Sequence, residues 1–451
     1  MKIEKLPKYL TKFSMEPAME IKRDLYLNRI VSLMWDGQVK VITGIRRCGK
    51  SYLLRRIFRN YLVSQGTPED HILSYELDLA RDIKFRNPLD LAKTVRERVE
   101  RSPDPFYLFV DEIQMSDDVP NPYNPGGRKI TFYDALNDLN SLPNLDVYVT
   151  GSNSRMLSGD ILTEFRGRGD EIRVRPLNFR EYYAAVGGDK EEAFENYAFF
   201  GGMPLILSRP DDTAKMDYLK SLFSEVYLKD IVERKKVRRE DVLSAALDLL
   251  CSSVGSLTNP NNIASALNSR QKRAGEDRVS PNTVASYVGH LSDAYLFEEC
   301  RRYDVKGKRY FDYPNKYYCV DPGLRNARIG FRQQEMTHIT ENIVYNDLRV
   351  RGCEVDIGIV YGVEKNKSGH PVRAPREIDF VATRGGKRTY VQSAYAVETE
   401  EKSRTETRPL GLTGDSFAKI IVRRDIRKRW YDESGILNVG LVDFLLDETV
   451  V

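Results

Sequence analysis

One segment of the sequence has the glycine spacing of a phosphate-binding loop. Gly44, Gly49, Lys50 and Ser51 belong to GIRRCGKS, which matches G-x-x-x-x-G-K-[ST]. Glycines let backbone N–H groups curl around phosphates, the lysine reaches the β- and γ-phosphates, and the hydroxyl is a ligand for Mg²⁺. We therefore expect ATP and Mg²⁺ to bind at the loop and the residue after it: Gly44, Ile45, Arg46, Arg47, Cys48, Gly49, Lys50, Ser51 and Tyr52.

A pair of acids follows an apolar run about sixty residues later. Asp111 and Glu112 come directly after residues 106–110 (FYLFV). Asp111 is suited to hold Mg²⁺ through water, and Glu112 is suited to polarise an attacking water. Acids at a strand end are also common solvated turns. After a phosphate-binding loop the pair favours hydrolysis, because the second carboxylate supplies a general base.

Polar residues also follow the apolar run 146–150. In GSNSR, Ser152 or Asn153 is a candidate to orient the attacking water, and Arg155 is a candidate to sense the γ-phosphate. The alternative is a Gly-Ser turn with a surface arginine.

Two further arginines stand in FRGRG. Arg166 or Arg168 is a candidate arginine finger, supplied to a neighbouring subunit to stabilise charge in the transition state. This role would require oligomerisation. A solvated basic loop is the alternative interpretation.

These residues need an α/β scaffold to bring them together. Val39–Thr43, 106–110 and 146–150 have the length and composition of buried strands, and residues 51–61 have apolar residues at helical spacing. Parallel sheets bind ligands at the carboxyl ends of their strands, where all the polar residues above are expected. The sequence therefore predicts a P-loop domain with a parallel sheet.

The order of these motifs carries a resemblance to a known family. GIRRCGKS, YLFVDEIQ, VYVTGSNSRML, FRGRG and Gly201-Gly202-Met203-Pro204 together resemble prokaryotic AAA-type P-loop ATPases with an uncharacterised C-terminal domain. Arg155 and the Gly-Met-Pro are also similar to the STAND and ORC-type replication-initiator branches. The resemblance covers nearly the whole chain. It implies that Arg155 is a sensor arginine, that Pro204 lies near the adenine, and that Arg23 or Tyr26 helps to hold the base.

The middle of the chain predicts a helical lid and then a winged helix. Residues 216–246 have helical spacing, 262–267 and 284–296 read as helices, and 298–303 and 308–310 read as a strand pair. The expected DNA-facing residues are those of a recognition helix and a wing: Ser280, Asn282, Thr283, Ser286, His290, Arg301, Arg302, Lys306, Lys308 and Arg309. A protein-binding module or a rigid lid is an equal alternative.

The last segment resembles the PD-(D/E)xK nuclease fold. Residues 335–350 are predicted to be helical, and 354–361, 377–383 and 389–393 to be strands. Glu341 and Asp379 match acids of that pattern. Where the pattern expects Glu-x-Lys, this chain has Gln392-Ser393-Ala394, so that one metal ligand and the lysine are missing. We expect a degenerate fold kept for binding or assembly, with nuclease activity unlikely.

Size and composition set the remaining expectations. A chain of 451 residues is too long for one core, and we assign 1–178 to the ATPase core, 179–238 to the lid, 239–328 to the winged helix and 329–451 to the nuclease-like domain. The net charge of +4 is too small to indicate nucleic acid by itself. No apolar run approaches membrane-spanning length, no signal peptide is evident, and five scattered cysteines suggest neither disulfides nor zinc. We expect a cytoplasmic protein.

The sequence thus predicts a Mg²⁺-dependent ATPase whose nucleotide state is coupled to a C-terminal half that binds DNA or protein. A nucleotide-gated switch with little turnover is the first alternative. An ATP-regulated DNA nuclease is the second.

Overall fold

A computed structural model describes residues 21–151, 169–271, 278–332, 335–365, 369–395 and 399–451. Within these ranges no helix is long and apolar enough to cross a membrane. The chain forms a five-stranded parallel sheet in its first half and an eight-stranded mixed sheet in its second half, with helices around and between them.

The first sheet has the order β2-β3-β4-β1-β5. Its strands are β1 (Val39–Thr43), β2 (Ile72–Glu76), β3 (Phe106–Asp111), β4 (Leu145–Thr150) and β5 (Gly169–Arg173), and every described pairing is parallel. All residues of β1, β3 and β4 are buried, as expected of strands covered on both faces. The predicted strands and the predicted parallel sheet are confirmed.

Helices cover both faces of this sheet. They are α1 (Asp24–Ser32), α2 over residues 50–64, α3 (Pro88–Val99) and α4 (Phe132–Leu139). The middle turn of α2, Leu53–Phe58, is π-helical. A capping box at Thr131 fixes the start of α4, because its side chain and that of Asp134 each bond the other's backbone N–H. Short 3₁₀ turns span Glu69–His71, Ala80–Arg86 and Ile113–Met115.

Three helices follow β5, where the sequence predicted a lid. They are α5 (Phe179–Val186), α6 (Lys190–Phe200) and α7 over residues 212–235, with a 3₁₀ turn at Pro204–Ser208. The helical pattern predicted over 216–246 is interrupted after Lys235. The cause is Lys236, whose φ of 50° ends α7 before α8 (Glu240–Ser252) begins.

The middle module contains α8, α9 (Pro260–Gln271) and α10 (Pro281–Asp293), then a bent hairpin. The hairpin pairs β6 (Phe297–Cys300) with β9 (Lys316–Cys319), and β7 (Arg302–Asp304) with β8 (Arg309–Tyr310). The prediction that the helix continues to residue 296 was wrong. It ends at Asp293 because Tyr295 takes a φ of 59° and leads into β6.

The second sheet has the order β14-β15-β13-β12-β11-β10-β7-β8. Its own strands are β10 (Glu354–Lys365), β11 (Pro371–Arg384), β12 (Lys387–Ala394), β13 (Ala418–Arg423), β14 (Trp430–Tyr431) and β15 (Leu437–Gly440). Four helices and a 3₁₀ turn accompany them: α11 (Pro322–Arg328), α12 (Met336–Val350), α13 (Glu400–Gly411), α14 (Leu441–Leu446) and Glu448–Val450. The wing strand β7 pairs in parallel with β10, so the predicted wing is part of this sheet.

The hydrophobic core is shared between the two halves of the chain. One buried cluster joins Tyr26 and Ile30 of α1 to Leu324 and Ala327 of α11. A second cluster lies entirely within residues 39–149, on the other side of the first sheet. The domain boundaries proposed from the sequence stay a prediction.

Candidate functional site

The loop after β1 has the backbone conformation that its glycines allow. Gly44 has a φ of 136°, and a Cβ there would lie 2.1 Å from the carbonyl oxygen of Val174. Gly49 has a φ of 102° and directly precedes the first helical residue, Lys50. Residues that carry a side chain rarely adopt these backbone φ angles, so both positions favour glycine. The loop therefore curls back onto the N-terminus of α2, where free N–H groups attract anions.

The side chains of the loop divide into two groups. Ile45 and Cys48 are buried in the core, so their contribution to an anion site comes from their backbone N–H groups. Lys50 is also buried, and its Nζ donates to the carbonyl oxygens of Gly44 at 3.0 Å and Ile45 at 3.1 Å. These bonds place the ammonium inside the curl of the loop, where a phosphate would need it. Arg47 is exposed.

Ser51 and Asp111 meet at the carboxyl edge of the sheet. Ser51 Oγ donates to Asp111 Oδ1 at 3.0 Å, and Thr150 Oγ1 donates to the same carboxylate oxygen. A hydroxyl and a carboxylate in contact, beside an anion-binding loop, are the donors that Mg²⁺ takes in nucleotide sites. The structure thus brings together the two residues predicted to bind the metal.

Glu112 lies next to this pair in a strained conformation. Its φ is 55°, in the left-handed region that a glutamate rarely adopts. Its backbone N–H donates to Thr150 Oγ1 at 3.1 Å, and the Gln114 amide donates to its carboxylate. Strain held by surrounding bonds is typical of functional residues. Thr150, which the sequence analysis treated only as the end of a strand, therefore links Asp111 with Glu112.

Two further charged residues at this edge were missed from the sequence. Glu76 ends β2 and is the register partner of Asp111. Arg55, in the π-helical turn of α2, pairs with Glu76, and its Nη1 lies 3.6 Å from Asp111 Oδ2. Single π-turns inside α-helices occur often at functional sites. The signal available in the sequence was the spacing of four residues between Ser51 and Arg55, which puts both on one helix face.

Arg23 and Pro204, implied by the resemblance as base-binding residues, lie beside Gly49. A Cβ built on Gly49 would be 3.7 Å from Arg23 Nη1 and 3.8 Å from Pro204 Cγ. Arg23 is buried, donates to the carbonyl oxygen of Cys48 at 3.2 Å, and pairs with Glu181 at 2.9 Å. The Arg23 charge is therefore already paired within the protein. A contact with the base would come from the side of the Arg23 side chain and not from a new ion pair.

Tyr26 and Tyr52 occupy the edges of this region. Tyr26 is buried under the Arg23 guanidinium, 4.6 Å from the ring centroid, and its hydroxyl accepts from the Arg175 N–H at 3.1 Å. Tyr52 is half-buried, with the Arg56 guanidinium 5.8 Å from its ring centroid.

Helix α7 contacts the loop through an ion pair. Arg46 Nη1 lies 3.0 Å from Asp230 Oδ1, which also pairs with Arg234 at 2.5 Å. The Tyr227 hydroxyl donates to the carbonyl oxygen of Arg46 at 2.9 Å. Burial raises the pKa of Asp230 and lowers that of Arg234, while the Glu112 carboxylate opposes the shift of Arg234. Helix α7 thus places Asp230 and Arg234 beside the loop through the pair with Arg46.

Several predicted residues lie outside the described part of the chain: Ser152, Asn153, Arg155, Arg166 and Arg168. Their roles stay predictions.

Only some of the residues predicted to contact DNA are exposed to solvent. Ser280, Asn282 and Ser286 of α10 are exposed, and Thr283 and His290 are half-buried. In the hairpin, Arg301, Lys306, Lys308 and Arg309 are exposed and Arg302 is half-buried.

Comparison with known proteins covers most of the chain. Residues 36–183 match the model of an AAA domain, and residues 191–335 match a domain of unknown function (DUF8612). An uncharacterized protein of Haemophilus influenzae is 31% identical over 440 residues, which cover 96% of this chain and 100% of that protein. The chain belongs to the same family as that protein. An uncharacterized protein of Methanocaldococcus jannaschii is 26% identical over 405 residues, 86% of this chain and 80% of that protein.

Among solved structures, the Aeropyrum pernix ORC2 protein aligns with a TM-score of 0.37 at 13% identity, covering 71% of this chain and 91% of that chain. A similarity at this level carries no argument about this family. The AAA domain itself contains the loop and both acids, so the expectation of a P-loop AAA-type domain is confirmed. The winged-helix and nuclease-like assignments stay predictions.

Proposed function

We propose that this family member binds ATP with Mg²⁺ and hydrolyses it at the edge of the first sheet. The observation that carries the proposal is the contact between Ser51 and Asp111, 3.0 Å apart, beside the loop that encloses the Lys50 ammonium. These residue types fit both groups: the loop N–H groups and Lys50 suit phosphates, and the hydroxyl and carboxylate suit a hard cation. When bound, Mg²⁺ would neutralise charge on the phosphates.

The residues around the cation site divide the remaining work. Lys50 would contact the β- and γ-phosphates and stabilise charge there. Glu112 would accept the proton of the attacking water, and Thr150 would hold its backbone relative to Asp111. Arg234, which shares Asp230 with Arg46 of the loop, would be a further arginine for a phosphate if the Asp230 pair opened. Arg155, and Arg166 or Arg168 as a finger from a neighbouring subunit, remain part of the proposal.

Nucleotide state is proposed to reach the C-terminal half through two contacts. Thr43, the last residue before the loop, donates to Glu171 Oε1 at 2.6 Å, and the Tyr295 hydroxyl of the middle module donates to the same oxygen at 3.2 Å. Near Pro204, the Gly202 N–H donates to Asp321, which caps α11, at 2.6 Å. Both contacts join the nucleotide site to elements that follow the lid.

The middle module is the proposed contact for double-stranded DNA or a protein partner. Ser280, Asn282 and Ser286 present exposed polar groups on the first turns of α10, the part of a recognition helix that meets base edges. The test is whether DNA at low salt stimulates phosphate release, and whether Asn282→Asp removes the stimulation. If DNA still stimulates phosphate release in this variant, the result would contradict a DNA contact at Asn282.

A nucleotide-binding assay tests the site directly. With a fluorescent ATP analogue, Lys50→Ala should weaken binding about 10- to 100-fold, because a charge-assisted bond contributes roughly 1.5–3 kcal/mol. Ser51→Ala should make the remaining affinity insensitive to Mg²⁺. The matched control is Lys93→Ala, at an exposed lysine of α3, which should leave binding unchanged. Equal affinity in the Lys50 and Lys93 variants would contradict the proposed site.

A further inference from the structure

A buried ion cluster joins the middle hairpin to the C-terminal sheet. Lys316 of β9 places its Nζ 2.9 Å from Glu341 Oε1 on α12 and 2.7 Å from Glu377 Oε1 on β11. The Tyr318 hydroxyl, also on β9, donates to Glu341 Oε1 at 2.6 Å. Lys316 and Glu341 are buried, and Glu377 is half-buried with 29% of its side chain exposed. Each pair therefore crosses from the hairpin to the C-terminal sheet or its helix.

Asp379, two residues after Glu377 on β11, is a third acid, and its charge contributes to the raised pKa of Lys316. It lies in β11 where the pairing with β10 is irregular, and one oxygen accepts the Ser393 N–H of β12 at 2.8 Å. The Gln392 side chain is also engaged internally, since its Oε1 accepts the Asp379 N–H at 3.3 Å and its Nε2 donates to Glu406 at 2.9 Å. The side chain that stands where the nuclease pattern has a metal-binding glutamate is thus committed to protein partners.

The lysine and the acids of the cluster shift one another's pKa values. Burial lowers the pKa of Lys316, but attraction by Glu341, Asp379 and Glu377 outweighs it, and the net shift is upward. Burial and the neighbouring Glu341 raise the pKa of Asp379 well above its ordinary value. The lysine therefore stays charged and the aspartate tends to keep its proton. In the described ranges, no group of three or more His, Cys, Asp or Glu residues is placed to hold a metal ion.

The middle module also covers Glu341 from another direction. A Cβ added to Gly255, in the turn after α8, would lie 3.2 Å from Glu341 Oε1. The Gly255 N–H donates to the carbonyl oxygen of Tyr317 at 3.2 Å, so that this turn is bonded to the strand that carries Lys316. A bulky ligand could not reach Glu341 without moving the turn.

We propose that the Lys316 ammonium takes the place of a divalent cation among these acids, so that the cluster is a metal-independent clamp between the hairpin and the C-terminal sheet. Lys316 does not serve as a substitute for the catalytic lysine that the nuclease pattern expects on β12. Lys316 instead forms ion pairs with Glu341 and Glu377 and fixes β9 against β11 and α12. The clamp does not depend on nucleotide, and the inference stands apart from the proposed ATPase activity.

Thermal unfolding of the full chain tests the clamp. The Asp111→Asn variant serves as the background, so that the nucleotide site contributes little to any metal effect. With Lys316 in place, we expect the Tm to be the same in EDTA and in excess Mn²⁺. Lys316→Met should lower the Tm by several degrees in EDTA, and Mn²⁺ should restore part of the loss. Lys387→Met, at an exposed lysine of β12, is the matched control. It should not lower the Tm, and its Tm should not respond to Mn²⁺.

A second variant covers the case in which Lys316→Met does not fold. Glu377→Gln keeps the shape of a half-exposed side chain and removes one charge, so the Tm should fall without any response to Mn²⁺. Two results would overturn the proposal. One is that the protein with Lys316 in place shows a rise in Tm with Mn²⁺, or cuts plasmid DNA with Mn²⁺, and that Asp379→Asn abolishes this effect. The other is a Tm for both cluster variants equal to that of the Lys387 control.

Discussion

Asp111 is held at the sheet edge by three side chains from α2 and β4. Ser51 of α2 and Thr150 of β4 bond one carboxylate oxygen, and the Arg55 guanidinium faces the other. The adjacent Glu112 keeps a left-handed backbone that Thr150 supports. At the scale of single residues, Thr150 is therefore the side chain that sets the position of both acids.

We expect Thr150→Val to separate binding from turnover. Valine keeps the shape and removes both hydrogen bonds of the hydroxyl, so ATP affinity should stay close to that of the native protein. The turnover number should fall on the order of 10- to 100-fold, since small displacements of catalytic groups have large effects on rate. Steady-state kinetics with Thr150→Ser, which retains the hydroxyl, should show recovery. Native turnover in the valine variant would show that the Thr150 hydroxyl is not needed for hydrolysis.

Sequence patterns identified the residues of the site that lie within local motifs. Gly44 to Ser51, Asp111 and Glu112 were all found, because a loop between a strand and a helix and a strand end are both encoded over a few residues. Glu76 was not assigned a role. It reaches the site only through strand order, as the register partner of Asp111, and this is not visible in the spacing of one segment.

At the scale of elements, the end of α10 connects the middle module to the first sheet. Tyr295 has a φ of 59°, its hydroxyl bonds Glu171 of β5, and the Arg173 guanidinium lies 4.3 Å from its ring centroid. Glu171 in turn accepts from Thr43, at the start of the nucleotide loop. This chain of contacts is a described route from the loop to the end of α10.

Tyr295→Phe should interrupt this route and leave the nucleotide site intact. The variant loses the hydroxyl that bonds Glu171 and also interacts with Thr43, and ATP should bind as before. Hydrogen exchange of residues 278–296, measured with and without ATP, should respond in the native protein and not in the variant. Tyr287→Phe is the control, because its hydroxyl accepts from the Arg239 N–H at 3.3 Å, away from the first sheet. The same ATP response in both variants would contradict the route.

The elements themselves were predicted well where periodicity is strong. The helix expected over 335–350 is Met336–Val350, and the three strands expected after it are present but longer. The sequence did not predict that β7, expected as a wing strand, also pairs with β10, where Arg302 is the register partner of Ile357. A strand's partners depend on the whole fold, and the local pattern does not specify them.

At the scale of the whole molecule, buried charges join the two halves. Glu298 of β6 pairs with Arg173 at 2.6 Å and Arg175 at 2.5 Å, next to the first sheet, and with Arg349 of α12 at 3.4 Å. Burial opposes ionisation of Glu298, yet the arginines outweigh it and hold its pKa below the ordinary range. Together with the ion pairs of Lys316, this cluster joins the first sheet, the hairpin and the C-terminal sheet.

Asp321 predicts a pH dependence of stability. Burial raises its pKa from 3.8 to about 6, against three backbone N–H donors that oppose the shift. The folded state thus holds this proton more tightly than the unfolded state, and the stability gained from it is present below pH 3.8 and lost as pH rises through about 6. The two-unit shift corresponds to roughly 3 kcal/mol at most.

The comparison that isolates this group uses Asp321→Asn, which cannot titrate. Between pH 5 and pH 7.5, roughly either side of the raised pKa, the native Tm should fall relative to that of the variant. The variant should be less stable throughout, because an amide has one acceptor oxygen for Gly202 and Leu324. A difference in Tm that does not change with pH would show that Asp321 stays ionised.

Phosphate release from ATP by the purified protein, measured beside Glu112→Gln, decides whether this site hydrolyses ATP. We expect Mg²⁺-dependent turnover in the native protein, and an unchanged ATP affinity with little or no turnover in the variant, since the amide cannot accept a proton from water. Native turnover that persists in Glu112→Gln would contradict the assignment of the base. ATP binding without turnover in the native protein would contradict the ATPase and leave a nucleotide-gated switch.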